Sequence, residues 1–122
     1  MKKILIVDDD LYIRELYEEI LKEAGFEVTT AVDGQDGFDK IKVGGFDLIL
    51  LDVMMPKLDG LTVLAKLSQN PPRAKNGPIV LLTNLSHDPV IKEALQKGAT
   101  AYLIKADLNP DQLVEKVKSF VK

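Results

Sequence analysis

The sequence predicts an α/β domain: a doubly wound parallel sheet of five strands, with five helices shared between its two faces. Two observations carry this. Short, continuous apolar runs of four to six residues recur along the chain, as expected for strands covered on both faces. Between them lie helix-type stretches, with turn residues at the junctions, and strands that alternate with helices build parallel sheets.

The first strand is "KILIV" (3–7). After it Ile13, Leu16, Tyr17, Ile20, Leu21 and Ala24 recur at helical spacing, and Gly25 suits the stop. "EVTTA" (27–31) is a less apolar second strand, followed by a helix over "GQDGFDKIKV" (34–43) with Phe38 and Ile41 inward. "DLILLD" (47–52) is the third strand and "LTVLAKL" (61–67) the third helix, with Asp59 placed to cap it. "QNPPRAKNGP" (69–78) is an exposed loop of Pro, Gly and Asn. "IVLLT" (79–83) is the fourth strand, and "PVIKEALQKGA" (89–99) begins with Pro in the first turn and ends its helix at Gly98. "AYLI" (101–104) and "PDQLVEKVKSFV" (110–121) close the pattern.

All 122 residues are expected to form one domain, large enough to bury a core. The chain is 46% hydrophobic and 29% charged, as in ordinary globular proteins. Its net charge of −3, with basic and acidic residues interleaved, gives no nucleic-acid footprint. The absence of cysteine excludes disulfides, thiolate metal sites and cysteine nucleophiles, and fits a reducing compartment. The apolar run after "MKK" is too short for a signal peptide or a membrane span, so a cytoplasmic location is expected.

In open parallel sheets, ligands sit beyond the carboxyl ends of the strands. Strand one ends in Asp8, Asp9 and Asp10, strand three in Asp52, strand four in Thr83 and strand five leads to Lys105. Two unit charges ~4 Å apart repel by about 1 kcal/mol in water and about 4 near a protein surface. A divalent cation would remove that cost. Carboxylates, a carbonyl and waters suit Mg²⁺, with Mn²⁺ as an alternative, and the lack of imidazole and thiolate ligands argues against zinc or copper. A metal held by acids beside a hydroxyl and an ammonium suggests phosphoryl transfer. Asp52 ends the most apolar strand and is the candidate nucleophile, forming an aspartyl-phosphate. Lys105 and Thr83 would bind phosphoryl oxygens. Plainer roles are expected for Asp10, as the cap of the first helix, and for Asp33, Asp36 and Asp39, as helix-start and solvent-face charges. His87 is expected at the surface, and Met54 and Met55 in packing and loop roles.

Together "ILIVDDD", "LILLDVMMPKLDG", "LLT" and "YLIK" resemble, in order and spacing, the receiver domain of two-component response regulators along essentially the whole chain. The resemblance implies a flavodoxin-like fold with strand order 2-1-3-4-5. It implies Asp52 as phosphoacceptor, Asp8 and Asp9 as the acidic pair at the metal with Asp9 the direct ligand, Asp52 as a further ligand, and Met54 as a backbone-carbonyl ligand. It also implies Thr83 and Tyr102 as a coupled switch and Lys105 as the phosphate-binding lysine.

The implied activity is a phosphorylation-controlled switch. A sensor histidine kinase or phosphotransfer protein, or a small phosphodonor, would phosphorylate Asp52. The surface of the fourth helix, fifth strand and fifth helix would then regulate an output partner the sequence does not name. Such a protein is not an enzyme in the ordinary sense, and neither nucleic acid nor membrane is an expected direct partner. Two departures stand out. Asn84 follows the threonine where the family often has a small residue. Ala106 follows the lysine where the family often has Pro in a cis peptide, and a cis bond before a non-proline costs about 2.5–4 kcal/mol.

Three other readings compete. One is a receiver-like interaction module that is not phosphorylated, suggested by Asn84 and Ala106. Another is a haloacid dehalogenase-type phosphatase, suggested by the D-x-D of Asp8 and Asp10, which leaves Asp52 and "MMPKLDG" unexplained. The last is an FMN module, for which three carboxylates after strand one are a poor phosphate loop.

Overall fold

The structure, a computed structural model, describes residues 1–53, 55, 58–83 and 88–121. The elements follow in the order β1 (Lys3–Val7), α1 (Leu11–Glu23), β2 (Glu27–Ala31), α2 (Gly34–Val43), β3 (Leu48–Asp52), α3 (Gly60–Gln69), β4 (Ile79–Thr83), α4 (Asp88–Gln96), β5 (Ala101–Ile104) and α5 (Pro110–Phe120). All strand pairs are parallel, in the order β2-β1-β3-β4-β5. This is the flavodoxin-like arrangement the sequence predicts.

Side chains of successive strand residues point to opposite faces, and the two cores follow that alternation. Leu5, Val7, Ile49, Leu51 and Leu81 pack with Phe38, Ile41, Val63, Leu64 and Ala94, from α2, α3 and α4. Ile4, Ile6, Leu48, Leu50, Val80 and Leu82 pack with Tyr17 and Leu21 of α1 and Leu113 and Val117 of α5. The central strands therefore lose contact with water on both sides: Ile4–Val7 and Leu48–Leu51 are all at 0% exposure. Each such aliphatic side chain contributes about 1.5–3 kcal/mol by burial.

The helix starts are set by side chains. Asp10 Oδ1 accepts from the backbone N–H groups of Tyr12 and Ile13, so Asp10 caps α1 as expected. Asp33 caps α2 through the Asp36 N–H, Asp59 caps α3 through the Thr62 N–H, and Asn109 forms a reciprocal capping box with Gln112 on α5. Asp36 accepts from the Val32 N–H and pairs with Lys40.

Several boundaries differ from the sequence reading: α3 runs Gly60–Gln69 in place of 61–67, which takes Gln69 out of the loop, and α5 stops at Phe120. β3 begins at Leu48; Asp47, just before it, accepts from the Lys3 N–H through its carboxylate at 2.8 Å and donates its own N–H to the Lys3 carbonyl. α4 ends at Gln96, and Gly98 has left-handed backbone, φ +119°. A 3₁₀ turn, Lys105–Asp107, follows β5; it is too short to leave a periodic signal. The Lys105–Ala106 peptide is trans, as no cis peptide occurs among the described residues. Among those residues no helix is long and apolar enough to cross a membrane.

Candidate metal and phosphoryl site

The strand register brings the candidate residues to one level. Val7 aligns with Leu51, Asp52 with Leu82, and Thr83 with Ile104. Asp8 follows Val7, and Lys105 follows Ile104. The carboxyl ends of β1, β3, β4 and β5 therefore finish together, and the groups they carry meet.

Carboxylate oxygens of Asp8, Asp9 and Asp52 lie within 4.8 Å of one another. Asp8 is fully buried and Asp52 is 5% exposed, whereas Asp9 is exposed. Asp8 is held through both oxygens: Oδ1 accepts from the Asp10 N–H at 2.9 Å, and Oδ2 from Lys105 Nζ at 2.7 Å. Lys105 Nζ also lies 3.4 Å from Asp52 Oδ2. Burial is the largest influence on Lys105 and acts against its charge. The hydrogen bonds and charges of Asp8 and Asp52 outweigh it, so the ammonium's pKa stands above lysine's ordinary value. Tyr17 is buried on α1 within the field of this pair. Burial foremost raises its phenol pKa, Lys105 lowers it and Asp8 raises it.

Thr83 is buried at the end of β4. Tyr102 is placed differently: it is 41% exposed on the edge strand β5, paired in register with Leu81, two residues before the partner of Thr83. It lines a surface hollow of about 340 Å³ with Ile104, Leu108, Gln112 and Lys116. Met54, Asn84 and His87 lie outside the described residues, so the carbonyl-ligand reading of Met54 and the departure at Asn84 rest on sequence. Met55 packs in the core beside β3.

The donor set fits a hard divalent cation. Three carboxylates converge, and one ammonium among them leaves an excess of two acidic groups. Oxygen-only donors suit Mg²⁺. Asp10 is turned to its capping bonds, which argues against the D-x-D phosphatase reading, where it would serve as a catalytic acid.

Two residues near the site were given no role by the sequence: Arg14 lies in no quoted motif, and Gly60 only closes "LILLDVMMPKLDG". Arg14 Nη1 donates to the Asp8 carbonyl at 2.9 Å. Gly60 begins α3 so close to β3 that a Cβ there would lie 2.9 Å from the Asp52 carbonyl oxygen. A glycine directly after a capping Asp was the available signal for that approach.

A parallel sheet in this order, with a buried lysine and a carboxylate cluster that could hold a metal ion at the ends of β1 and β3, defines a flavodoxin-like domain. The sequence profile of the response regulator receiver domain matches residues 4–118. The chain is 37% identical to the chemotaxis protein CheY of Treponema pallidum, covering 98% of this chain and 83% of that protein. It is 33% identical to the transcriptional regulatory protein SrrA of Staphylococcus aureus, over 98% of this chain but 48% of that protein.

Among solved structures, a CheY-like receiver domain protein from Methanospirillum hungatei superposes with a TM-score of 0.85 at 34% identity, over 98% of this chain and 92% of that one. The response regulator TrrA of Thermotoga maritima, in complex with Mg²⁺ and BeF, does so with a TM-score of 0.78 at 39% identity, over 98% and 99%. This chain belongs to the response regulator receiver domain family.

Proposed function

We propose that the domain is a phosphorylation-controlled switch in which Asp52 is the phosphoacceptor. The observation that carries this reading is the meeting of Asp8, Asp9 and Asp52 with Lys105 Nζ, 2.7 Å from Asp8 and 3.4 Å from Asp52. A carboxylate oxygen of Asp52 attacks phosphorus. The bond from phosphorus to the donor breaks, P–N for a phosphohistidine or P–O for an acyl phosphate, and the donor keeps the electron pair. Asp8, Asp9 and Asp52 would hold Mg²⁺, with the Met54 carbonyl as a further ligand from the family pattern. The ion supplies neutralisation of the charge on the phosphoryl oxygens. Lys105 neutralises another part of that charge and holds the acceptor in place.

The donor is a sensor histidine kinase, a phosphotransfer protein or a small acyl phosphate. Thr83 turns toward the new dianion, Tyr102 responds, and the surface of α4, β5 and α5 changes its affinity for an output partner. A shift from 1:99 to 99:1 needs about 5.5 kcal/mol of differential stabilisation. The residues covered form one receiver unit, working in the cytoplasm. The acceptor is the protein's own side chain, so the domain is not an enzyme in the ordinary sense. The resemblance to a complex with Mg²⁺ and BeF supports the metal-dependent form over an unphosphorylated interaction module.

Incubation with Mg²⁺ and acetyl phosphate, followed by mass spectrometry of the intact protein, tests the assignment. One phosphoryl adduct is expected on the wild type and none on Asp52→Ala. An adduct that persists in Asp52→Ala would sink it.

A further inference from the structure

Asp8 and Asp9 are held in different ways. Both oxygens of Asp8 are engaged, by the Asp10 N–H and by Lys105. Asp9 is exposed, and among the described residues its carboxylate takes neither a hydrogen bond nor an ion pair. Its oxygen nevertheless stands within the 4.8 Å group. The direction of Asp9 is therefore set by the backbone on either side of it.

That backbone is stapled by one residue. Arg14 Nη1 donates to the Asp8 carbonyl at 2.9 Å, the oxygen of the peptide that joins Asp8 to Asp9. The Arg14 backbone N–H donates to the Asp10 carbonyl, also at 2.9 Å. The Arg14 side chain thus holds the oxygen of the peptide before Asp9, while its backbone bond to the Asp10 carbonyl is the opening hydrogen bond of α1, which any residue at this position would make. The Asp8 N–H, donating to the Ala31 carbonyl at 3.2 Å, fixes the strand side of the same segment. A guanidinium is planar, and its donors lie in a fixed fork, so it sets the direction of the carbonyl it binds more firmly than an ammonium would. Groups behind metal ligands typically change affinity by about 10- to 100-fold when removed.

We propose that Arg14 is a positioning residue for the cation site, clamping the Asp8–Asp9 peptide so that the exposed Asp9 carboxylate faces the ion. This rests on the metal-dependent reading above. Arg14 is not among the carboxylates that would hold the ion, and it acts through the peptide. Charge alone predicts the opposite sign, because removing a positive group beside a cation site strengthens cation binding.

The test uses the whole chain as wild type, Arg14→Met and Arg14→Lys, with Mg²⁺ affinity from titration calorimetry. Amide exchange of Asp9 and Asp10 is followed by NMR in the metal-free protein. Arg14→Met is expected to weaken Mg²⁺ binding about tenfold, and to speed exchange at both amides without Mg²⁺ present. Arg14→Lys keeps the charge and is expected to recover only part of the affinity. Should Arg14→Met fail to fold, the lysine variant decides alone: a wild-type affinity there overturns the proposal. Mg²⁺ binding by Arg14→Met as tight as the wild type, or tighter, also overturns it. A wild type that binds no Mg²⁺ removes the metal-dependent reading itself, whereas a wild type that binds with variants unchanged removes only the clamp.

Discussion

Lys105 Nζ and Asp8 Oδ2 are 97 residues apart in the chain and 2.7 Å apart in space, in side chains that are 7% and 0% exposed. The same ammonium lies 3.4 Å from Asp52. A buried charge pair is expensive to break, because the partner left behind stays buried and uncompensated. The lysine is thus the positive charge that joins the two buried carboxylates.

Removing that lysine therefore costs stability in a way a metal can restore. Lys105→Met is expected to lower unfolding stability in EDTA by about 3 kcal/mol. A domain of ordinary stability, about 5–15 kcal/mol, survives such a loss. Mg²⁺ is expected to raise the melting temperature of the variant by more than that of the wild type, because the ion replaces the missing positive charge. Melting curves with and without Mg²⁺ measure this, and equal Mg²⁺-induced shifts in both proteins would contradict it. Adduct formation from acetyl phosphate should be slower in the variant.

If the acidic cluster holds a cation as proposed, it should trade stability for binding. Asp9 is exposed, with no partner to lose among the described residues, and it stands near two other carboxylates. Asp9→Asn is expected to leave the metal-free protein as stable as the wild type or slightly more so, since like-charge repulsion falls. The same change should weaken Mg²⁺ binding by at least about tenfold, as a direct ligand is altered. Chemical denaturation in EDTA and Mg²⁺ titration give the two numbers. A variant that is destabilised without metal and binds Mg²⁺ normally would remove Asp9 from the ligand set.

The alkaline limit of stability should carry the mark of the buried pair. Lys105 and Tyr17 both have folded pKa values raised above their ordinary 10.5 and 10.0. For a raised pKa the unfolded chain releases its proton first. The stabilisation is complete below the unfolded value and is lost as pH rises through the folded one. In EDTA, therefore, neither group changes stability between about pH 6 and 9, and both contribute a decline above about pH 10. Lys105→Met and Tyr17→Phe should each flatten that decline. Denaturant midpoints taken up the alkaline range check this, and a wild-type slope in both variants would refute it.

Much of this was legible in the chain because strands and caps are local. "KILIV", "LILL" and "IVLLT" announce buried strands by continuous apolar character, and Asp10 and Asp59 announce helix starts by position. The site was legible because a parallel sheet sends all its strand ends to one edge. What escaped depends on contacts between distant segments. Arg14 reaches the Asp8 carbonyl through a side chain whose direction no periodicity encodes. The exposure of Tyr102 follows from β5 being an edge strand, which its short apolar run does not reveal. Asp47 reads as the first residue of a strand but is spent on the Lys3 N–H, a bond across 44 residues.

Gly60 offers the sharpest check on how the fold positions Asp52. Its N–H donates to the Val53 carbonyl at 3.0 Å, tying the start of α3 to the residue after Asp52. A Cβ at this position would stand 2.9 Å from the Asp52 carbonyl oxygen and 3.1 Å from Val53 Cα, both backbone atoms with no side-chain freedom to give. Helix propensity alone favours alanine over glycine by about 1 kcal/mol. Overpacking acts the other way, by about 1–3 kcal/mol. Contact with rigid backbone puts this site at the upper part of that range, so Gly60→Ala is expected to be destabilising by about 1–2 kcal/mol net. Because the strain falls on the peptide that carries Asp52, the variant should also form adduct from acetyl phosphate more slowly than a core variant of equal stability loss, such as Ile49→Val or Leu64→Ala chosen to match. Denaturant titration sets the stability match and mass spectrometry reads the adduct. A Gly60→Ala protein as stable and as reactive as the wild type would mean that α3 shifts without moving Asp52.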